Sequence, residues 1–172
     1  MEFRELIKLR ESVRNYDLKK PVPRDVLDRI LEAGRLAPSA ANRQPWKFLV
    51  VSSREMLEKV HDCYAKDWFR AAPVILIVVG KREDAWTRRY DGYNSLETDL
   101  TIAMDHLILA AANEGVGSCW IAAFEPNILR HALELNDAET VFAITPLGYP
   151  EDSYQPGHAK NRKEISEIVE YL

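Results

Sequence analysis

The sequence predicts a domain that mixes helices and strands, an α+β or α/β sandwich. The run Val74–Val79 is almost wholly apolar, which predicts a central strand covered on both faces. The stretch Leu96–Asn113 has apolar positions that wrap widely around a helix, which predicts burial in the core or at a subunit interface. The β-rich run Trp46–Val51 predicts a second strand.

The other elements follow from the spacing of apolar residues and from prolines and glycines. Apolar residues at helical spacing predict helices beginning at Phe3, between Pro23 and Ala37, over Met56–Tyr64, from Pro126 and from Ile165. Two more strands are predicted, Ser118–Ala122 and Thr140–Leu147. Two segments are predicted to be irregular: Arg10–Lys20, and the loop or lid Gly80–Ser95.

Composition excludes several classes of protein. The 172 residues fit one domain spanning 1–172, and the net charge of −4 argues against binding to nucleic acids or anionic membranes. Cys63 and Cys119 show no disulfide or zinc spacing, which fits a reducing compartment. The start lacks the form of a signal peptide, and no apolar run approaches the ~20 residues of a membrane helix. We therefore expect a cytoplasmic protein.

Two polar motifs in the first third of the chain are candidates for ligand binding. Arg10-Glu11-Ser12-Val13-Arg14 places two guanidinium groups and a hydroxyl where they could surround a phosphate. Taken alone, this motif is better explained as a basic helix end that favours the helix dipole. The loop Pro38–Trp46 combines two prolines with small and amide side chains and would suit a flat polar heterocycle, or be a simple helix-to-strand turn.

Two later motifs add to these. Gly115–Ala123 contains two glycines, but Trp120 occupies the third glycine position of a dinucleotide fingerprint and the segment follows a helix, so a Rossmann site is not expected. The basic tail Gly157–Lys163 could complete an anion site, although most such runs are solvated. The four histidines show no metal-ligand spacing, and no catalytic triad, HExxH motif or CxxC pair occurs.

The order of these motifs is more informative than any one of them. An Arg-x-Ser-x-Arg start, a Pro-Ser-x-x-Asn-x-Gln-Pro-Trp loop, a Gly-x-Gly-Ser-Cys-Trp-Ile segment, a Leu-Gly-Tyr-Pro turn at 147–150 and a basic tail follow one another. In this the chain resembles the nitroreductase family of FMN proteins, from Arg10 to about Val169. The resemblance implies an α+β homodimer, an α-β-α sandwich around a mainly antiparallel sheet, with FMN at the subunit interface.

The resemblance also implies roles for particular residues. Arg10, Ser12, Lys160 and Arg162 would bind the FMN phosphate, and Arg14 would reach the pyrimidine edge of the flavin. The loop of the other subunit would contact the ring and ribityl chain through Pro38, Ser39, Asn42 and Gln44. One face of the flavin would be lined by Trp120, Ile121 and Ala122.

The implied activity is ping-pong transfer of hydride from NAD(P)H to FMN and then to a nitroaromatic, quinone or related acceptor, with no catalytic side chain. Two alternatives stay open: a specialised reductase or dehalogenase of one metabolite, and a flavin-binding protein with slow turnover.

The chain is compact for the family, so the substrate-covering insertion of larger members would be absent or reduced to Gly80–Ser95. Ala122-Ala123 replaces the glycine or acidic residue of some members, and Trp86, Tyr90 and Tyr93 could stack on an aromatic acceptor.

Overall fold

A four-stranded antiparallel sheet forms the centre of the fold in the computed structural model, which describes residues 1–155 and 160–172. Its strands lie in the order β1-β2-β4-β3, and they are β1 (Trp46–Val51), β2 (Val74–Lys81), β3 (Gly117–Ser118) and β4 (Glu139–Gly148). Strand β2 pairs with β1 on one side and with β4 on the other, and it is buried from Val74 to Gly80. The predicted central strand is therefore confirmed.

Seven α-helices surround this sheet in the described part of the chain. They are α1 (Phe3–Leu9), α2 (Arg24–Arg35), α3 (Arg54–Val60), α4 (Asp67–Arg70), α5 (Leu96–Asn113), α6 (Pro126–Ala132) and α7 (Ile165–Ile168). Two 3₁₀ turns, Ala40–Asn42 and His61–Cys63, lie between them. No helix of the described residues is long and apolar enough to span a membrane.

The alternation of side chains along β2 builds two cores, one on each face of the sheet. Val74, Leu76 and Val78 point to one face, where they pack with residues of α2 and α5. Ile75, Ile77 and Val79 point to the other face, where residues of α3, α4 and α6 cover them. Helices on both faces of an antiparallel sheet make the α-β-α sandwich that the resemblance implied.

Helix α5 is the most deeply buried helix and has the predicted bounds, Leu96–Asn113. Ala103, Met104, Leu107 and Ala111 are fully inaccessible to solvent. The close approach of α2 depends on Gly34, because a Cβ atom there would lie 2.6 Å from Cδ2 of Leu107. Helix α5 therefore runs through the core as a rigid element, and both of its ends reach the surface.

The predicted strand Ser118–Ala122 is wrong in extent. Strand β3 ends at Ser118 because the next amide, of Cys119, donates to the Oγ1 atom of Thr145 (3.2 Å) instead of continuing the backbone ladder. The chain returns to the sheet only at Ile121, through an isolated bridge to Ile144. A register shift between Val78 and Val79 leaves Phe142 outside the ladder.

Three other boundaries differ from the sequence prediction. The helix predicted over Met56–Tyr64 stops at Val60, and Tyr64 instead packs edge-on against Trp68 and Phe69. Helix α4, which carries these two aromatic residues, is a single turn too short for its periodicity to be recognised. The tail helix is also one turn, and Gly80 and Lys81 belong to β2 rather than to the loop.

Replacing Gly80 with alanine should destabilise the fold where β2 meets α5. A Cβ atom there would lie 2.8 Å from Leu96, Leu100 and the carbonyl oxygen of Pro45. We expect Gly80→Ala to lower the free energy of unfolding by about 2 kcal/mol, the cost of overpacking a core, as measured by urea denaturation. Thr140→Ala, at the exposed cross-strand partner of Gly80, should change it by about 0.5 kcal/mol or less. Equal losses in the two variants would contradict this account of the packing.

Candidate cofactor-binding site

The arginine segment, residues Arg10–Arg14, lies extended beside β3. The amide of Val13 donates to the carbonyl oxygen of Ser118 (2.9 Å), and Ser12 forms a parallel bridge to the same residue. Val13 is buried while Ser12 and Arg14 are exposed, as the alternation of an extended chain requires. Gly117 permits this contact, because a Cβ atom there would lie 2.8 Å from Cγ1 of Val13. The structure thus joins two of the predicted motifs.

Tyr16 holds the far end of the arginine segment in place. Its buried hydroxyl donates to the carbonyl oxygen of Val13 (2.7 Å), and its backbone bridges to Pro150. Burial raises the pKa of Tyr16, so the hydroxyl stays protonated and continues to donate.

The side chain of Arg14, in the same segment, contacts an aromatic ring. Its guanidinium lies 5.7 Å from the centre of the Trp68 ring, a cation–π contact.

Three cations of the predicted phosphate site form one cluster, which we call the cationic cluster: Arg10, Lys160 and Arg162. The Nζ atom of Lys160 donates to the carbonyl oxygens of Ile7 (2.7 Å) and Arg10 (2.6 Å), which ties the tail to the end of α1. Burial, and then the charges of Arg10 and Arg162, hold the pKa of Lys160 below its ordinary value. Mutual repulsion of this kind is relieved by a bound anion, so these side chains fit a phosphate group.

The structure describes only part of the basic tail predicted over Gly157–Lys163. Gly157, His158 and Ala159 lie outside the described residues. Beyond them, Asn161, Arg162 and Lys163 are exposed. The contribution of the tail to the site therefore rests on Lys160 and Arg162.

A cleft of about 150 Å³ opens between the arginine segment and β3. Its polar wall includes Glu11 and Tyr154, whose hydroxyl donates to Oε1 of Glu11 (2.5 Å). Burial, followed by the bond to Glu11, raises the pKa of Tyr154. No local sequence pattern indicates this pair, because the two residues are 143 positions apart. Sites for cofactor-sized ligands usually measure about 300–1,000 Å³, so this cleft alone is too small for one.

The polar loop, residues Ser39–Gln44, has an unusual backbone. Ala41, Asn42 and Gln44 all have positive φ values, of 51°, 53° and 50°. Each such residue costs about 1–3 kcal/mol, and strained residues of this kind cluster at ligand sites. The loop is braced internally, since the Oγ atom of Ser39 accepts from the amide of Gln44 (2.9 Å). Pro38, Asn42 and Gln44 are exposed, and the strain indicates a loop shaped for a ligand.

The residues predicted to line one flavin face come directly after β3. Trp120 packs edge-on against Phe142, with ring centres 6.0 Å apart. Ile121 is buried by its bridge to Ile144, whereas Ala122 is exposed. From Ser118, opposite Leu147, the chain thus runs along β4 away from the arginine segment, towards the end of the strand where Thr140 pairs with Gly80.

The polar loop lies far from the arginine segment within one chain. Its Ala40 amide donates to Oδ1 of Asp99 (2.8 Å), near the N-terminal end of α5. The cleft beside the arginine segment is lined by Ala112 and Gly115, at the C-terminal end of the same helix. At 1.5 Å per residue the two ends are roughly 20 Å apart. Within one chain the polar loop and the arginine segment therefore lie at opposite ends of α5.

The segment predicted as a lid forms a braced turn, the aromatic turn, over residues 86–94. The guanidinium of Arg88 binds both carboxylate oxygens of Asp91 (2.7 and 2.6 Å) and lies 4.9 Å from the centre of the Tyr93 ring. The amide of Ser95 donates to the carbonyl oxygen of Trp86 (2.9 Å), which closes the turn at the start of α5. Tyr90 is 90 % exposed at its tip.

No group of three or more histidine, cysteine, aspartate or glutamate side chains capable of holding a metal ion occurs among residues 1–155 and 160–172. The site is therefore built from cations, backbone amides and small polar side chains. Within the α-β-α sandwich, these groups would suit a phosphorylated, flat organic ligand.

Comparisons with known proteins give the family. The family model described as "Nitroreductase family" matches residues 7–63 and 55–149. A protein of Methanothermobacter thermautotrophicus with the provisional name NADH dehydrogenase/NAD(P)H nitroreductase is 33 % identical over 158 residues, covering 89 % of this chain and 80 % of the relative. The chain belongs to the nitroreductase family.

Solved structures agree with this assignment. A nitroreductase family protein from Clostridium difficile 630 superposes with a TM-score of 0.85 at 34 % identity, covering 99 % of this chain and 98 % of that one. An FMN-dependent nitroreductase from Clostridium difficile R20291 has a TM-score of 0.78 at 25 % identity, with 96 % of each chain covered. FMN is the cofactor of the family and NAD(P)H its reductant.

The cationic cluster should bind inorganic phosphate in the absence of any cofactor. At a concentration about ten times the dissociation constant, phosphate should add roughly 1.4 kcal/mol to the free energy of unfolding. That gain corresponds to a melting temperature higher by about 3 °C than in chloride of equal ionic strength. Lys160→Gln should lose most of this shift, because it removes one charge of the cluster, while Lys163→Gln should retain it. A shift that is the same in all three proteins would contradict the assignment.

Proposed function

We propose that this chain is an FMN-dependent oxidoreductase that takes hydride from NAD(P)H and reduces quinones, nitroaromatics or related small acceptors. Membership of the nitroreductase family supports the class of reaction. One observation supports the placement of the cofactor: the phosphate-binding cations and the polar loop lie at opposite ends of α5. A second chain would have to supply the missing half of each site.

The phosphate end of the proposed site is the part with the clearest electrostatics. Arg10, Lys160 and Arg162 would hold the phosphate with charge-assisted hydrogen bonds, and the exposed hydroxyl of Ser12 would add another. The bonds of Lys160 to Ile7 and Arg10 fix the tail against α1, so the cluster is organised before the ligand arrives. Preorganisation of this kind lowers the entropic cost of binding.

The ring end of the proposed site uses the remaining residues. Arg14 would reach the pyrimidine edge of the flavin, either by moving off the Trp68 ring or while keeping its contact with that ring. Positive charge at this edge favours the reduced form of the flavin. Trp120, Ile121 and Ala122 would line one face, with Trp120 steadied by Phe142. From the partner chain, Pro38, Ser39, Asn42 and Gln44 would contact the ring and ribityl chain. Contacts with the ligand would then offset the free-energy cost of the positive φ values in the loop.

Exposed apolar side chains support a homodimer. Helix α1 has no buried residue, and Phe3 is 64 % exposed while Ile7 is 45 % exposed. Ile165 and Ile168 of α7 are exposed as well. Apolar surface of this extent on two helices is typical of a surface that a partner covers. A second copy of the chain is the partner that would also complete the cofactor site.

The chemistry needs little from the side chains. Bound FMN would supply the two-electron carrier, accepting hydride from NAD(P)H and passing electrons to the acceptor after NAD(P)⁺ has left. The protein would bind and orient the flavin, and the exposed aromatic turn, attached to the same end of α5 as the polar loop, would lie beside the acceptor. No side chain is proposed as a nucleophile or as a general acid.

Flavin spectroscopy tests the proposed function. Purified protein supplied with FMN should show a perturbed flavin absorbance spectrum in a gel-filtered complex. Under anaerobic conditions NADH or NADPH should bleach this spectrum, and a quinone should restore it, with one acceptor reduced per NAD(P)H consumed. Stopped-flow absorbance at the flavin maximum measures both half-reactions.

Three results would separate the alternatives. A protein that takes up no FMN would contradict the proposal and both flavin-dependent alternatives, the dehalogenase and the flavin-binding protein. FMN that binds but bleaches only over many minutes would indicate a flavin-binding protein. Fast reduction followed by reoxidation only by halogenated phenols, among a panel with quinones and nitro compounds, would indicate a dehalogenase.

A further inference from the structure

Asp99 is a buried carboxylate for which the proposed reaction has no use. It lies in the first turns of α5 and is 1 % exposed. Its Oδ1 atom accepts from the Ala40 amide (2.8 Å) and its Oδ2 atom from the Ser95 hydroxyl (2.7 Å). Both of these partners are neutral. The positive end of the α5 dipole offsets part of the cost of burying this charge, because Asp99 lies in the first turn of the helix. The dipole does not account for the bond to Ala40, which lies outside the helix.

The bond to Ala40 reaches the strained polar loop. Ala40 begins the 3₁₀ turn in which the next two residues, Ala41 and Asn42, have positive φ values. A free loop would relax away from this conformation, since each such residue costs about 1–3 kcal/mol. The bond from the Ala40 amide to a charged acceptor, together with the Ser39–Gln44 bond, opposes the relaxation.

The bond to Ser95 reaches the aromatic turn. Ser95 is the residue before α5, and its amide donates to the carbonyl oxygen of Trp86, which closes the turn. One carboxylate therefore fastens two surface segments, the polar loop and the aromatic turn, to the same end of a rigid buried helix. The sequence separation between Ala40 and Asp99 is 59 residues, so no local pattern reveals the link.

We propose that Asp99 is the positioning residue of the polar loop and holds it in the strained conformation that grips the cofactor. The same carboxylate holds the aromatic turn at a fixed place beside the loop. This inference rests on the proposed function in one respect, that the ligand of the loop is FMN. Asp99 does not touch the cofactor in this account. It acts through the backbone of Ala40.

The test compares variants that keep the volume of the side chain. Asp99→Asn can still accept a bond but loses the charge, and we expect FMN to dissociate about tenfold faster, the scale of one hydrogen bond to a charged group. The rate of flavin bleaching by saturating NADH in the loaded enzyme should stay within about twofold, because no reacting atom is touched. Stopped-flow fluorescence of released FMN measures the first rate, and absorbance the second.

Two further variants separate positioning from general stability. Ser95→Ala leaves Asp99 with an unsatisfied buried oxygen and should lower the melting temperature, yet the Ala40 bond remains and FMN release should accelerate by less than about threefold. Asp105→Asn, at an exposed position of the same helix, should change neither quantity. FMN release that accelerates equally in Asp99→Asn and Ser95→Ala would overturn the proposal, since both would then act only through stability.

If Asp99→Asn does not fold, hydrogen exchange in the wild-type protein tests the positioning of the loop. The amide of Ala40 should exchange with deuterium at least about tenfold more slowly than the exposed amide of its neighbour Ala41, because it is held by Asp99. Equal exchange rates would overturn the positioning of the loop, with or without cofactor. Wild-type protein that binds no FMN at all would instead contradict the proposed function, so the two failures are distinguishable.

Discussion

The burial of helix α5 determines how far apart the polar loop and the arginine segment lie in one chain. Its 18 residues cross the core as one rigid element, with Ala103, Met104, Leu107 and Ala111 fully inaccessible. The polar loop is fastened to one end through Asp99, and the arginine segment lies beside the other end. A loop could move to meet its partner, but a packed helix cannot shorten. The separation of the polar loop from the arginine segment is therefore a property of the fold.

The sequence predicted those parts of the structure that are written in local patterns. The bounds of α5, the position of β1 and the central place of β2 followed from apolar spacing, β-rich residue types and a continuous apolar run, respectively. Strand β3 was predicted too long. It ends because the Cys119 amide donates to Thr145, a residue 26 positions away in the chain. One-turn helices such as α4 carry too few residues for a period to show.

In the candidate site, too, local patterns were predictable from the sequence and contacts between distant residues were not. Motif order and residue chemistry pointed to the arginine segment, the polar loop and the basic tail, and the structure brings Arg10, Ser12 and Lys160 to the same end of the molecule. The supporting contacts could not be predicted, because Tyr154 with Glu11 and Asp99 with Ala40 join residues far apart in the chain. Nor does a single sequence record backbone strain outside glycine, which the polar loop shows at three positions.

A site shared between two chains can be tested most directly with a mixed dimer. One chain would carry Arg10→Ala, and the other would carry Ser39→Ala with Asn42→Ala in the polar loop. If each site takes its arginines from one chain and its loop from the other, this dimer has one intact site and one doubly altered site. Flavin titration should then find one FMN bound with wild-type affinity per mixed dimer, although both parent homodimers bind weakly. Two weakened sites and no site of wild-type affinity would show that the arginines and the loop act within one chain, and would contradict the account.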